Sequence, residues 1–348
     1  MKAAMLYEYD EKMNVELKLE EVPEPTIKSP NDVIVRVGAA GLCRTDLHII
    51  EGVWREAMDP HNELLPYIMG HENAGWVEEV GSGVTSVKRG DAVICHPLRT
   101  CGVCYGCRRG EDMYCENSQF PGLGVNGGFA DYFLTNERAL IKLSPNVVPV
   151  EVAPLADAGI TAYRVAKRAA KMLTPGQYCV ILGVGGLGHI ALQSLHELCG
   201  ARTIAIDFSE SARQLATELG ATHTLAGNPA TVVEEVRELT SGGAHAVIDF
   251  VGELGAEQLC WQMLRQGGTH FMVGYGGEVR IPTVNLIIQE IAVAGSLVGN
   301  YMELVELMEL NAEGKVKLHA QEYSLANINA AITDFKNRQI VGRGVIVP

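Results

Sequence analysis

A glycine turn, Gly183-Val184-Gly185-Gly186-Leu187-Gly188, follows the apolar run YCVILG (residues 178–183) and leads into a helical pattern from Leu187 to Cys199. The first glycine permits a tight turn, the second lets the backbone approach a pyrophosphate, and the third lets helix pack closely on strand. The helix N-terminus then offers unpaired N–H groups and the positive end of its dipole to phosphates. With 38 glycines in 348 residues, chance alone supplies about half a match to G-x-G-x-x-G, so context decides. A second match, Gly122-Leu-Gly124-Val-Asn-Gly127, follows a cysteine-rich loop and precedes a strand-like stretch without a helix. It reads as a turn. The first match has strand before it, helix after it, and Asp207 nineteen residues beyond Gly188, at the end of the next apolar run. Asp207 suits the hydroxyls of an adenosine ribose and would repel a 2′-phosphate, so NAD is favoured over NADP.

The surrounding texture agrees. Apolar runs at 178–183, 202–207, 245–252, 269–274 and 291–299 alternate with helical stretches at 187–199, 209–219 and 256–264. Such alternation describes βαβ units and a parallel sheet covered on both faces. Residues 1 to about 155 read instead as short strands with turns between them, including 32–42, 75–84 and 90–97. After about Asn300 the texture turns mixed, with a helix over 302–311 and a closing strand in GRGVIVP. The fold class is α/β. A doubly wound cofactor domain, 157–298, interrupts a β-rich domain made of 1–156 and 299–348.

Lys and Arg number 28 against 42 Asp and Glu, a net charge of −14 with no basic run. That balance argues against nucleic acid and anionic membrane surfaces as partners. The N-terminus lacks the apolar stretch of a signal peptide, and no window reaches the roughly 20 apolar residues that span a bilayer. A cytoplasmic location is expected, where clustered cysteines more often bind metal than pair.

Four of the nine cysteines fall in one run, Cys101-x2-Cys104-x2-Cys107-x7-Cys115. Four thiolates complete a zinc tetrahedron and leave no open position, so this site is structural. A second set is bland when taken singly: Cys43 in Gly41-Leu-Cys43-Arg44-Thr45-Asp46-Leu-His48, and His71 in Gly70-His71-Glu72. Spacing alone does not bring the two together.

In combination these motifs resemble a zinc-dependent medium-chain alcohol dehydrogenase, of the microbial NAD-dependent type. The resemblance rests on Gly41 to His48, Gly70-His71-Glu72, the cysteine lobe, Gly183 to Gly188 and Gly342-Arg343-Gly344, in the same order along the chain. It implies a GroES-like catalytic domain beside a Rossmann domain, one catalytic and one structural zinc, and NAD. Cys43 and His71 would hold the catalytic zinc. Asp157 stands where the family commonly has a cysteine, in an arrangement similar to that of some bacterial members acting on secondary alcohols. Aspartate keeps the −1 charge and leaves the ion more Lewis-acidic than thiolate would. Asp157 also fits a helix N-cap, and Glu72 could approach the metal as well.

The resemblance further implies that Thr45 takes the alcohol proton and passes it by way of the nicotinamide ribose to His48, with Asp46 orienting its neighbours. Arg44 and Arg343 would bind the pyrophosphate, while Thr161, Leu187 and Val273 would line the nicotinamide. Trp54 and Leu98 are candidates for the substrate cleft. The expected partner is a small alcohol or ketone, and Gly295 to Asn300 resembles the typically homotetrameric members. A polyol dehydrogenase would carry similar sites. A non-catalytic NAD- and zinc-binding regulator would need no proton relay, and a zinc-free reductase would lack Cys43, His71 and the cysteine lobe.

Overall fold

The computed structural model describes residues 1–61 and 63–348, and it divides into two compact units. The first comprises Met1–Ala158, Gly299–Ala312 and Leu318–Pro348; the second comprises Gly159–Val298 and Glu313–Lys317.

The first unit is built of β-strands. β1 (Lys2–Leu6), β2 (Lys18–Glu21) and β4 (Tyr67–Ile68) form a small sheet, with β3 (Asp32–Leu42) lying between them in sequence. β3 anchors a larger sheet with β5 (Glu72–Val80), β6 (Ala92–Cys95), β7 (Tyr132–Asn136) and β8 (Leu140–Lys142). Val33, Val35, Val37, Val77, Val93 and Phe133 pack into one core on this sheet, and these alternating β-branched positions explain why the segments run as strands. β5 begins at Glu72, earlier than the periodicity alone indicates, because its ladder with β3 runs on to the pair Gly41↔Glu72.

The second unit holds β9 (Tyr178–Leu182), β10 (Arg202–Ile206), β11 (His223–Leu225), β12 (Ala244–Asp249), β13 (Leu264–Met272) and β14 (Ala292–Gly295). Every pairing is parallel, in the order β11-β10-β9-β12-β13-β14. This is the doubly wound order 3-2-1-4-5-6, whose strand order reverses between β9 and β12, where such sheets bind ligands. Strand cores such as Val180, Ile181, Ile204, Val247 and Ile248 are fully buried, as strands covered on both faces require. The helices Gly188–Leu198, Glu210–Glu218 and Ala256–Gln262 agree with the sequence reading, and Ser209 caps the second with its side chain. Helices Ala158–Ala170 and Val232–Leu239 were not evident from periodicity.

The chain closes in the first unit with β15 (Ala320–Ser324) and β16 (Arg343–Val347); β16 pairs antiparallel with β3. Among the described residues no helix is long and apolar enough to cross a membrane.

Candidate active site and metal centres

Strand register in the first unit gathers the chemistry at one sheet end. β3 pairs Gly41 with Glu72 on one side and with Val345 on the other. Cys43 follows the last residue of β3, His71 precedes the first of β5, and Arg343 begins β16. The 3-10 turn Ala153–Ala156 packs against β3, β5 and β16 and delivers Asp157 to the same end. One ligand atom each from Cys43, His71, Glu72 and Asp157 lies within 4.8 Å of the others.

Glu72 is engaged by a partner. Arg343 donates from Nε to Glu72 Oε2 at 3.0 Å and from its second terminal nitrogen to Oε1. Both side chains are buried, and burial pushes the Glu72 carboxyl up against the pull of Arg343. Gly41 makes room for the pair, since a Cβ there would lie 1.9 Å from Glu72 Oε2. The guanidinium expected at a pyrophosphate is only 2% exposed and is engaged by Glu72.

His71 and Asp157 are not saturated in this way. His71 Nε2 lies 3.5 Å from Asp157 Oδ2, and among the described residues neither His71 Nε2 nor Asp157 Oδ1 has a hydrogen-bond partner. Zinc–nitrogen and zinc–oxygen distances near 2.0 Å set tetrahedral ligands about 3.3 Å apart, close to what is seen. The donors therefore fit a zinc ion with one position open. Burial alone would lower the His71 pKa, but Asp46, Asp157 and Cys43 outweigh it and raise it. Asp157 keeps 14% of its side chain exposed, so the site is reachable from solvent.

Thr45 and His48 sit on the helix Arg44–Ile50 that Cys43 opens, three residues apart and so on one face. Burial and the neighbouring Arg44 lower the His48 pKa below its ordinary value, keeping the ring neutral at pH 7. Arg44 itself is exposed. Trp54 packs against the core of the small sheet, and Leu98 is buried.

The cysteine lobe brings Cys101, Cys104, Cys107 and Cys115 within 4.8 Å of one another. The Cys101 and Cys115 sulfurs are 3.6 Å apart, and all nine cysteines are free. A tetrahedron of zinc–sulfur bonds near 2.3 Å predicts about 3.75 Å. Backbone N–H groups of Val103 and Cys104 lower Cys101 to about 6, favouring the thiolate that a metal needs. Asp112 anchors the lobe, accepting from Arg138 at 3.3 Å and from the Tyr301 backbone at 3.0 Å.

In the second unit the glycine turn joins β9 to the helix Gly188–Leu198 at the point of strand reversal. A Cβ at Gly188 would lie 2.0 Å from the Gly183 carbonyl oxygen, so helix and strand meet as closely as the motif predicts. Nothing lies within 4 Å of a Cβ built at Gly185, where backbone faces open space, and Gly186 and Leu187 are half-buried. Asp207 follows the last residue of β10, with Oδ2 accepting from Val184 N and Oδ1 from Ser209 N, both at 2.8 Å. Arg213, which sequence reasoning missed, folds back onto the carbonyls of Asp207 and Phe208 at 2.8 Å. Thr161 is buried in this unit, and the half-buried Val273 donates its N–H to the Asp249 carbonyl. The other glycine run, Gly122 to Gly127, is a turn hydrogen-bonded to the segment before His71, Gly127 N donating to Ile68 O at 2.8 Å.

Residues 29–145 match the family described as Alcohol dehydrogenase GroES-like domain, and residues 186–313 match Zinc-binding dehydrogenase. An alcohol dehydrogenase of Geobacillus stearothermophilus is 35% identical, covering 99% of each chain. An NAD-dependent alcohol dehydrogenase of Sulfurisphaera tokodaii is 34% identical over 95% of this chain and 96% of its own. The crystal structure of the alcohol dehydrogenase from the hyperthermophilic archaeon Aeropyrum pernix is 46% identical, with a TM-score of 0.94 and 100% coverage of both chains.

Proposed function

Because this chain belongs to the zinc-dependent medium-chain alcohol dehydrogenases, whose activity is the NAD-dependent interconversion of alcohols and carbonyl compounds, we propose specific roles for its residues. Cys43, His71 and Asp157 hold the catalytic zinc, and Cys101, Cys104, Cys107 and Cys115 hold the structural one. The observation that carries this reading is the convergence of Cys43, His71 and Asp157, with His71 Nε2 and Asp157 Oδ1 left unpartnered. Glu72, engaged by Arg343, stays outside the ligand set.

When bound, zinc polarises the substrate oxygen and NAD takes the hydride. The chain does the rest. Thr45 accepts the substrate hydroxyl proton at Oγ1, and His48, neutral at pH 7 through its lowered pKa, passes it towards solvent. Asp46 holds Cys43 and His71 in register. The glycine turn receives the pyrophosphate, and Asp207 accepts from the adenosine ribose. Thr161, Leu187 and Val273 border the nicotinamide.

A secondary alcohol is the substrate class supported by the resemblance of Cys43, His71 and Asp157 to the arrangement of some bacterial members that act on secondary alcohols. Self-association is supported by β14, an exposed edge strand beside a helix that presents Ile287 and Ile288 to solvent. A homotetramer acting in the cytoplasm fits that surface and the acidic composition. NADH formation with primary alcohols, secondary alcohols and polyols, measured beside zinc per chain, tests the reading. Fastest turnover of secondary alcohols is expected. An Asp157→Ala protein that keeps both zinc ions and its rate would reduce Asp157 to a helix cap.

A further inference from the structure

Away from both zinc sites, the second unit holds a cluster that this function does not use. Asp249 ends β12, His270 lies in β13, and Cys260 lies on the helix Ala256–Gln262. The register pairs Val247 with His270 and Asp249 with Met272. Alternation along the strands then sends Asp249 and His270 to one sheet face. Cys260 packs in the core with Val247 on that face. All three residues are 0% exposed.

We propose that Asp249, Cys260 and His270 form a third metal site, taking a divalent ion of the zinc class. One ligand atom from each lies within 4.8 Å of the others. Asp249 Oδ2 is 3.6 Å from His270 Nε2, too long for a hydrogen bond and near the 3.3 Å or so expected of two ligands on one tetrahedral ion. Among the described residues Asp249 Oδ2 and both His270 ring nitrogens have no hydrogen-bond partner. Buried polar atoms normally find one, and Asp249 Oδ2 and His270 Nε2, orphans that face each other, call for a shared partner.

The rest of the cluster is arranged accordingly. Asp249 Oδ1 accepts the backbone N–H groups of Val251 and Gly252 at 2.8 and 2.9 Å, which fixes the carboxylate and leaves Oδ2 facing the other two groups. The Cys260 thiol donates to the Ala256 carbonyl at 3.4 Å; that proton leaves when the sulfur ligates, as metal binding requires. One carboxylate, one thiolate and a neutral imidazole then balance a 2+ ion, so the core holds no net charge. A protonated His270 beside Asp249 balances charge as well, but at 3.6 Å it makes no hydrogen bond to Oδ2.

Because the ligands are buried, the ion enters as the unit folds. The full chain is therefore made in zinc-supplemented medium, freed of loose metal, and its zinc counted per chain. Three zinc ions per chain are expected, falling to two in His270→Val and in Cys260→Ala with turnover retained. Two in the unaltered chain, or three in both variants, overturns the site. Anomalous scattering at the zinc edge from crystals of the unaltered chain decides the matter even if both variants fail to fold. A peak among Asp249, Cys260 and His270 supports the site, and no peak there overturns it.

Discussion

Asp46 Oδ1 lies 3.2 Å from His71 Nδ1, while its Oδ2 accepts the Cys43 backbone N–H at 2.8 Å. One fully buried carboxylate thus orients two proposed zinc ligands that are 28 residues apart in sequence. Its charge beside Nδ1 raises the His71 pKa and makes the ring more basic, while Nε2 faces Asp157. Asp46→Asn keeps the shape and removes the charge. Catalytic zinc should then bind about 10- to 100-fold more weakly, by analogy with other outer-shell partners. Competition with a graded chelator measures this, and the cysteine lobe should keep its ion throughout. An unchanged affinity would leave Asp46 a purely structural group.

Glu72 and Arg343 form a different kind of pair, buried and two-pronged. Removing one member strands the other's charge in the interior, at a cost of about 3–5 kcal/mol. Arg343→Met should destabilise the first unit by that order, read from urea unfolding at neutral pH. The double variant Glu72→Met/Arg343→Met should recover most of the loss, because an apolar pair of similar volume is tolerated. If the double variant is no more stable than the single one, the pair is not what holds β5 to β16.

The glycine turn, the cysteine lobe and the βαβ texture were legible because each is local. Spacing along a few residues fixes the turn at Gly188 and the reach of Cys101 to Cys115. The convergence of Cys43, His71 and Asp157 was visible only through resemblance, because the register of β3 with β5 and a 3-10 turn bring them together. Arg343 shows the limit most clearly. Its flanking glycines drew attention to it, yet its partner, Glu72, lies 271 positions away. His270 and Cys260 carried no signal at all, since one sits mid-strand and the other mid-helix in apolar runs that read as core. Arg213 lies six residues beyond Asp207, and only the turn of its helix brings its guanidinium back onto the Asp207 and Phe208 carbonyls.

His96 gives stability a pH dependence whose sign follows from burial. Its Nδ1 accepts from Leu98 N at 3.2 Å and its Nε2 donates to Gly299 O at 3.0 Å, an arrangement that uses the neutral ring. Burial lowers its pKa, outweighing the nearby carbonyls of Gly299 and Leu98. The unfolded chain therefore takes up a proton first. Stability is fully present above an unfolded pKa of about 6.5 and is lost as pH falls through it towards the folded value. His48, His196 and His245 are lowered as well and act in the same direction. Urea midpoints should drop between about pH 7 and about pH 5, and less steeply in His96→Gln. Equal slopes in the two proteins would remove His96 from the account.

Asp207, in its proposed place at the adenosine ribose, would carry the choice between the two nicotinamide cofactors. Its oxygens already accept from Val184 N and Ser209 N, so the carboxylate is fixed beside the glycine turn before any ligand arrives. A 2′-phosphate brought there would meet a negative charge, whereas a 2′-hydroxyl would meet an acceptor. The guanidinium of Arg213 is close by, on the carbonyls of Asp207 and Phe208, and would attract the phosphate once the carboxylate is gone. Asp207→Ser keeps a small acceptor and removes the charge. The ratio of kcat/KM for NAD to that for NADP should fall at least roughly tenfold, about 1.4 kcal/mol of discrimination. Because Asp207 also supports the turn through Val184, both rates can drop from loosened structure, but such a loss leaves the ratio unchanged. A ratio unchanged within about twofold would show that the discrimination lies elsewhere. Adding Arg213→Ala to Asp207→Ser should then return NADP turnover towards its starting level, which identifies Arg213 as the group that receives the phosphate.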